Sequence, residues 1–198
     1  MMESWAEIVL QAWTASEEGR EVADPAVCEM GGMYLSGRMA RLADRCAQRV
    51  LGDFVEIGCW EGATTVPLAM VAMRHGRRVI AIDPWDGTGR GRAEGYQFFL
   101  EAIEPVKDVI DIWQTHSEAP EAIARLAGRP LAFAFIDGLH TYEGVASDLK
   151  AVAHCKGLIA CDDCNWNEGI RRAVRESGKP YLGHGGFREV YVLPALAR

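Results

Sequence analysis

Acidic residues close two of the most apolar segments of this 198-residue chain. Asp137 ends the run Ala-Phe-Ala-Phe-Ile-Asp at 132–137, and Asp162 and Asp163 follow an apolar run at 157–161. Such runs are typical of buried parallel strands, whose carboxyl ends meet at one edge of a sheet. Carboxylates gathered there repel one another, and a divalent cation with oxygen ligands removes that repulsion. The three aspartates therefore predict a cation site.

A histidine lies close to the first of these acids. His140 follows Asp137 by three residues, and histidine is the side chain whose ordinary pKa lies nearest to neutral pH. It is therefore a candidate general base, and Asp137 and His140 are the candidate catalytic residues. Two other roles for His140 remain open, because it could orient a ligand or cap the following helix. In those cases Asp137 or a metal-bound hydroxide would take the proton.

Zinc is a weaker interpretation of the same region. Cys161 and Cys164 form one Cys-x-x-Cys pair, with His154 and Cys155 nearby in sequence. A structural zinc site usually needs two such pairs, and Cys161 lies in an apolar run that predicts a buried strand. Buried free thiols are the better interpretation.

A second segment that could bind a ligand is the pattern Glu56-x-Gly58-x-x-x-Gly62-x-Thr64. It predicts a strand, a glycine turn and then a helix from about residue 63. Such a turn presents unpaired backbone N–H groups and the positive end of a helix dipole to a ligand. Trp60 stands where a dinucleotide motif needs its second glycine, and no P-loop Gly-Lys-Ser/Thr follows. The turn predicts a cradle for another nucleotide-like ligand.

The elements that must position these residues follow a regular alternation. Short apolar runs separated by helical patterns indicate a parallel sheet covered on both faces, that is, a doubly wound, Rossmann-like α/β fold. After a predicted helix at 168–176, Lys179-Pro180 precedes two short strands within 181–193, joined by a connection too short for a crossover helix. We therefore expect seven strands, five parallel plus a C-terminal antiparallel hairpin. The parallel strands are predicted at 54–58, 79–83, 109–113, 132–137 and 157–161.

Residues 1–50 have helical periodicity and are interpreted as an N-terminal helical cap of the same domain, with residues 51–198 forming the ligand-binding part. Two positions for the cap remain open: it packs at the sheet edge, or residues 32–37 fold over the glycine turn. The glycine-rich stretch 84–95, directly after a predicted strand, is either a lid or substrate loop or a plain solvent loop.

Composition limits the possible partners. The net charge of −7 and a pI near 5.3 argue against nucleic-acid binding and favour a small-molecule partner. No apolar run approaches the roughly 20 residues of a membrane span, and Glu3 and Glu7 stand where a signal peptide would be basic. We therefore expect a cytoplasmic protein without membrane contact. An apolar helical face formed by Trp5, Val9 and Trp13 makes a homodimer possible.

The turn and the next acidic strand end together resemble the class I S-adenosylmethionine-dependent methyltransferases. The Glu56/Gly58/Gly62 motif is followed by Asp83, which ends an apolar run 21 residues after Gly62. By that resemblance the Asp83 carboxylate binds both ribose hydroxyls. The resemblance also implies that Glu56, Gly58, Cys59 and Gly62 line the methionine part of the cofactor and that Pro84 or Trp85 joins Asp83 at the ribose and adenine. His116 and Ser117 would lie near the adenine edge, and Thr64 is a further candidate cofactor-binding residue.

The second segment resembles the metal-dependent small-molecule O-methyltransferases, including the macrolide-sugar and cephalosporin-pathway branch. Its pattern is Asp137-Gly-x-His140-x-Tyr142-Glu143. This resemblance implies Mg²⁺ held by Asp137, Asp162 and Asp163, and O-methylation of a natural product or sugar. Asn165 replaces a histidine found in some relatives. The alternatives are a metal-independent N- or O-methyltransferase and a catalytically silent cofactor-binding protein.

Overall fold

The computed structural model describes residues 3–22, 32–87, 94–165, 167–183 and 189–194. The strands are β1 Asp53–Ile57, β2 Val79–Asp83, β3 Ile110–Gln114, β4 Leu131–Ile136, β5 Leu158–Cys161, β6 Tyr181–Leu182 and β7 Val190–Val192. The helices are α1 Trp5–Val22, α2 Gly32–Ala47, α3 Thr65–His75, α4 Gly95–Ile103, α5 Pro120–Ala127, α6 Tyr142–Ala151 and α7 Glu168–Glu176, with a 3₁₀ segment at Glu104–Val109.

The strands form one mixed sheet in the order β3-β2-β1-β4-β5-β7-β6. Strands β1 to β5 are parallel, and β7 is antiparallel to both β5 and β6. The predicted doubly wound, Rossmann-like fold with a C-terminal antiparallel pair is therefore confirmed. The last strand lies between β5 and β6, an order that the sequence pattern did not predict. The connection at 184–188 falls outside the described residues.

Two hydrophobic layers cover the sheet, because alternate residues of each buried strand point to opposite faces. In β1, Phe54 joins the layer beneath α2, α3 and α4, whereas Val55 and Ile57 join the layer beneath α5, α6 and α7. With apolar helices on both faces, the strands carry the continuous apolar runs seen in the sequence.

Helix α2 packs across one face of the sheet. Its buried residues Leu35, Met39 and Leu42 belong to the same core layer as α3, and α2 contacts β4 and β5. The position therefore differs from packing at the sheet edge. Helix α1 lies against α2, with Val9 fully buried inside the chain. Val9 is thus not available on the surface for the possible homodimer, and the side chain of Trp13 lies outside what is described.

A buried ion pair joins α2 to the start of β7. Arg38 Nη1 donates to both carboxylate oxygens of Glu189, at 2.7 and 2.6 Å, and the Tyr191 hydroxyl donates to Glu189 Oε2 at 3.1 Å. Arg38 and Glu189 are both almost fully buried. Because β7 pairs with β5, this contact connects the N-terminal helices to the sheet near the carboxyl end of β5.

The described residues also bear on the expectations about membrane spans and cysteines. Within those residues, every helix falls short of the length and hydropathy needed to cross a lipid bilayer. The cysteines described by the structure are all buried and free, as expected: Cys46, Cys59, Cys155, Cys161 and Cys164. Cys28, Trp166 and residues 88–93 of the predicted lid or substrate loop lie outside the described part of the chain.

Candidate active site

The turn after β1 depends on two glycines with positive φ angles. Gly58 has φ 86° and Gly62 has φ 87°, in the left-handed region that glycine adopts most readily. A Cβ atom on Gly58 would lie only 2.2 Å from the carbonyl oxygen of Asp137. The backbones after β1 and β4 are therefore in direct contact, and this contact requires glycine.

We expect Gly58→Ala to lower the free energy of unfolding by about 2–3 kcal/mol and to weaken cofactor binding at least tenfold, because the methyl group would push Asp137 away. Gly76→Ala is the matched control. Gly76 also has a positive φ, 61°, but no atom lies within 4 Å of the added methyl group. Its expected cost is about 1 kcal/mol, from the backbone alone. Urea unfolding and calorimetric titration measure both effects, and equal losses in the two variants would contradict the steric argument.

Asp83 ties the turn to the end of β2. Its Oδ2 accepts hydrogen bonds from the backbone N–H groups of Cys59 at 2.9 Å and Trp60 at 3.0 Å, and its Oδ1 accepts from Trp85 N at 2.8 Å. A carboxylate offers about four acceptor positions, so these three bonds leave about one position for a ligand hydroxyl. Asp83 thus lies beside the glycine turn, and its role in ribose binding stays a prediction.

Two tryptophans beside Asp83 have strained backbones and opposite environments. Trp60 and Trp85 have φ angles of 45° and 46°, which are uncommon for residues other than glycine. Trp85 is buried against Tyr96 and Phe99, and its Nε1–H donates to the Trp60 carbonyl at 2.7 Å. Trp60 is 53% exposed. Trp85 therefore supports the turn from the protein interior, whereas the indole of Trp60 faces solvent.

The remaining predicted adenine contacts lie on adjacent loops. His116 follows β3, and its Nε2 lies 2.9 Å from Asp86 Oδ2, which connects the loops after β2 and β3. Pro84 and Ser117 are half-buried. The structure thus brings Asp83, Pro84, His116 and Ser117 to neighbouring strand ends on one side of the turn.

Glu56 is a fully buried acid in the middle of the sheet. Burial raises the pKa of Glu56 to about 8, and the negative charges of Asp137 and Asp83 add to this shift. Thr65 opposes it by donating a hydrogen bond to Glu56 Oε2. Its neighbour Thr64 instead contacts the Ser36 hydroxyl of α2 at 3.1 Å. At neutral pH the Glu56 carboxyl is therefore mostly protonated.

The raised pKa of Glu56 predicts a pH-dependent stability. The folded protein binds the proton more tightly than the unfolded chain, whose glutamate pKa is about 4.3. The free energy of unfolding should therefore fall, by roughly 2–4 kcal/mol, as pH rises from below 5 to above 8. Glu56→Gln keeps an oxygen acceptor for Thr65 but cannot titrate, so its stability should vary less. Urea unfolding between pH 5 and 9 measures this difference, and parallel curves would contradict the prediction.

Asp137, His140 and Asp163 form a cluster, called the Asp137 cluster below, whose candidate ligand atoms all lie within 4.8 Å of one another. His140 Nε2 lies 3.1 Å from Asp137 Oδ1, and His140 Nδ1 lies 3.4 Å from Asp163 Oδ2. The hydrogen bond to Asp137 raises the pKa of His140, burial opposes this shift, and the nearby carboxylate charges add to it. The imidazole therefore lies between two carboxylates.

Asp162 occupies a different position from its neighbour. It is almost fully buried, and its backbone N–H donates to the Ile136 carbonyl at 3.0 Å. Its carboxylate does not belong to the group formed by Asp137, His140 and Asp163 among the described residues, although its charge contributes to the raised pKa of His140. Asp163 has a positive φ of 57°, which is uncommon for residues other than glycine.

Two residues that fix the loops around the Asp137 cluster were not found by sequence reasoning. Thr141, not His140, caps α6, because its Oγ1 accepts from Gly144 N at 3.1 Å. Asn167 caps α7 and donates from Nδ2 to the His140 carbonyl at 2.8 Å. The signal for Asn167 was its position as a polar cap before the predicted helix at 168–176. It fixes the loops after β4 and β5 to each other.

A family model described as a methyltransferase domain matches residues 55–164, from β1 through the loop after β5. The matched segment is more than half of the chain and includes the glycine turn and the Asp137 cluster. The chain belongs to this methyltransferase family. A comparison with curated protein sequences found no match.

Solved structures of methyltransferases share the fold of this methyltransferase. The calicheamicin methyltransferase CalS11 is 16% identical, with 98% of this chain and 94% of that chain covered and a TM-score of 0.63. An apo structure of CalS11, described as a TDP-rhamnose 3'-O-methyltransferase, is 20% identical over 78% and 76% of the chains, with a TM-score of 0.59. A methyltransferase from Podospora anserina with bound S-adenosylhomocysteine is 13% identical over 93% and 86%, with a TM-score of 0.61.

The family and the fold identify the chain as an S-adenosylmethionine-dependent methyltransferase. The residues present fit that cofactor in one respect that the structure shows directly: the turn after β1 has the positive-φ glycines that a cradle needs, with Asp83 beside it. Which side chains of this methyltransferase touch the methionine, ribose and adenine groups stays a prediction.

Proposed function

We propose that this methyltransferase transfers a methyl group to a hydroxyl oxygen of a small molecule, with a divalent cation held beside the acceptor. The observation that carries the proposal is the group Asp137, His140 and Asp163, with ligand atoms within 4.8 Å of one another. The group lies next to the glycine turn, because Gly58 packs on the Asp137 backbone. Donor and acceptor sites would therefore adjoin.

The cation is proposed to bind the carboxylates of Asp137 and Asp163, with Mg²⁺ as the expected ion. Carboxylate oxygens are the ligands that Mg²⁺ prefers, and a bound Mg²⁺ would lower the pKa of an acceptor hydroxyl beside it. Asp162 is part of the proposed ligand set on the sequence resemblance alone. The charge of its buried carboxylate nevertheless contributes to the raised pKa of His140.

The proposed roles of the protein groups follow from their positions. S-adenosylmethionine supplies an activated methyl group, so the chain needs only to orient the acceptor and take its proton. His140 is the proposed proton acceptor, since its raised pKa makes the neutral imidazole a stronger base. Asn167 holds the His140 backbone, and the Asp137 carboxylate holds the imidazole ring.

A metal-independent methyltransferase is the second candidate, and the position of His140 favours it. A protonated imidazole between Asp137 and Asp163 would neutralise their repulsion without a cation. In that case Asp137 and Asp163 would position the acceptor. His140 would take up the proton of the acceptor and later release it. The two candidates share the fold and the cofactor and differ only in the effect of chelation.

The acceptor class is proposed from the fold neighbours and from the exposed apolar side chains beside the site. CalS11 is described as acting on a TDP-linked rhamnose, a hydroxylated sugar. Exposed apolar side chains also flank the site, because Trp60 and Leu139 are both 53% exposed on the loops after β1 and β4. A hydroxylated sugar or natural product with an apolar face fits this setting.

A homodimer remains part of the proposal.

The experiment is a methyl-transfer screen with radiolabelled S-adenosylmethionine, using sugar nucleotides, catechols and hydroxylated macrolides as acceptors, with Mg²⁺ or with EDTA. S-adenosylhomocysteine should raise the melting temperature, because it binds the native state. Labelled product that disappears with EDTA and returns with Mg²⁺ supports the proposal. Equal product with EDTA selects the metal-independent candidate, and cofactor binding without product from any acceptor indicates a catalytically silent protein.

A further inference from the structure

Asn167 contacts two residues of the Asp137 cluster, one through its backbone and one through its side chain. Its backbone N–H donates to the Asp163 carbonyl at 3.3 Å, and its Nδ2 donates to the His140 carbonyl at 2.8 Å. His140 and Asp163 belong to the loops after β4 and β5, and His140 Nδ1 lies 3.4 Å from Asp163 Oδ2. Asn167 therefore joins the two segments that meet in the cluster.

The side-chain amide of Asn167 has partners on both sides. Its Oδ1 accepts from the backbone N–H groups of Gly169 at 2.9 Å and Ile170 at 3.3 Å, at the start of α7. Because these bonds hold the amide oxygen against the helix, the NH₂ group points the other way, to the His140 carbonyl. The first turn of α7 therefore sets the direction of the bond to His140.

A second side chain of α7 holds the backbone that follows Asp163. Arg171 Nη1 donates to the carbonyls of Cys164 and Asn165, both at 2.9 Å. Asp163 itself has a φ of 57°, a conformation that a residue other than glycine keeps only when its surroundings impose it. The contacts of Asn167 and Arg171 supply part of that constraint. Helix α7 thus helps to determine where Asp163 stands relative to His140.

We propose that Asn167 is a positioning residue, which holds the His140 imidazole beside Asp163 at the place where it meets the acceptor hydroxyl. The inference rests on the proposed function, in which His140 takes the acceptor proton. There the proton moves to the imidazole while the acceptor oxygen takes the methyl group, whose former bonding electrons stay with the cofactor sulfur. Since a misplacement of about 1 Å can cost roughly 100-fold in rate, the bond to the His140 carbonyl affects turnover.

The test compares Asn167→Ser, His140→Ala and the double variant. Serine keeps an oxygen acceptor for the first turn of α7, but its side chain is too short to reach the His140 carbonyl. The melting temperature should therefore fall by no more than about 4 °C. With the acceptor from the methyl-transfer screen, kcat should fall about 30-fold, while the KM for S-adenosylmethionine stays within about twofold. In the His140→Ala background the serine should cost less than about twofold, because Asn167 acts through His140.

A second readout needs neither cofactor nor acceptor. The Thr141 N–H donates to the Leu139 carbonyl at 2.8 Å, in the turn that contains His140. Its hydrogen exchange, followed by NMR, should become about fivefold faster or more in Asn167→Ser, because the turn opens more often. Tyr142→Phe is the control for kcat. It removes the 2.5 Å bond from the Tyr142 hydroxyl to Glu176, another contact between α6 and α7, and should leave kcat within about twofold.

Other results would overturn the inference in distinguishable ways. If Asn167→Ser keeps the wild-type kcat, or if its loss and that of His140→Ala multiply in the double variant, Asn167 does not act through His140. An equal loss in Tyr142→Phe would show that any looser contact between α6 and α7 has this effect. Full turnover in His140→Ala alone would instead remove His140 from the proposed function. If Asn167→Ser does not fold, Asn167→Asp makes the same comparison, since its carboxylate caps α7 and cannot donate to the carbonyl.

Discussion

Asp137→Ala is expected to reduce methyl transfer about 1000-fold or more, while the affinity for S-adenosylhomocysteine changes less than about threefold. The carboxylate lies 3.1 Å from His140 Nε2 and within the group that includes Asp163, so its loss removes both the proposed cation ligand and the partner of the base. The alanine backbone leaves the contact with Gly58 in place. Turnover with the acceptor from the screen measures the first effect, and Mn²⁺ binding by electron paramagnetic resonance measures loss of the cation site.

Asp111→Ala is the matched control for this prediction. Asp111 is also a half-buried aspartate, paired with Arg129 at 3.2 Å, but it lies near the amino end of β3. Its replacement should leave turnover and Mn²⁺ binding within about twofold of wild type, because the opposite edge of the sheet carries no part of the proposed site. Full turnover in Asp137→Ala would remove Asp137 from the mechanism. Lost turnover with unchanged Mn²⁺ binding would favour the metal-independent candidate.

Glu189→Ala is expected to lower the free energy of unfolding by about 3–5 kcal/mol, because it leaves the Arg38 guanidinium buried without its carboxylate. Arg38 Nη1 donates to both oxygens of Glu189, and the Tyr191 hydroxyl also loses its acceptor. The pair holds α2 against β7, so the loss should also expose the N-terminal helices to proteolysis. Urea unfolding and limited proteolysis measure the two effects.

An exposed ion pair on α7 provides the control. Arg172 and Glu176 are 2.9 Å apart at spacing i, i+4, and both are about half exposed. Glu176→Ala should cost less than about 1 kcal/mol, because exposed pairs contribute little. The apolar double variant Arg38→Met/Glu189→Leu should recover most of the stability lost by Glu189→Ala. Equal effects of Glu189→Ala and Glu176→Ala would show that the buried pair is not a major connection.

Much of the fold could be predicted from the sequence, because the spacing of apolar residues indicates which segments are buried and whether they form helices or strands. The apolar run at 79–83 and the helical pattern at 168–176 match β2 and α7 at both ends. A strand that is buried on both faces is mostly apolar along its length, so the polar residues beside it mark its ends. The glycine motif was equally informative, since positive φ at Gly58 and Gly62 requires that residue type in most settings.

The position of the candidate site along the sheet followed from the same patterns. Residues at the carboxyl ends of parallel strands must meet at one edge, so Asp83 and Asp137 were predicted near the glycine turn without knowledge of any contact. The structure places Asp83 on the N–H groups of that turn and the Asp137 backbone on Gly58. The predicted topology thus placed each acid near the glycine turn but did not show which groups it contacts.

The pattern of residues along the chain was enough to predict the fold class, the glycine turn and the edge of the sheet at which the acids gather. Only the packing of the loops after β4 and β5 showed that Asp163, and not Asp162, joins Asp137 and His140 among the described residues. Tertiary structure also decided the insertion of β7 beside β5 and the pairing of Arg38 with Glu189, 151 residues apart. Local patterns record whether a residue is buried, whereas the direction of a side chain and its distant partners depend on how the elements pack.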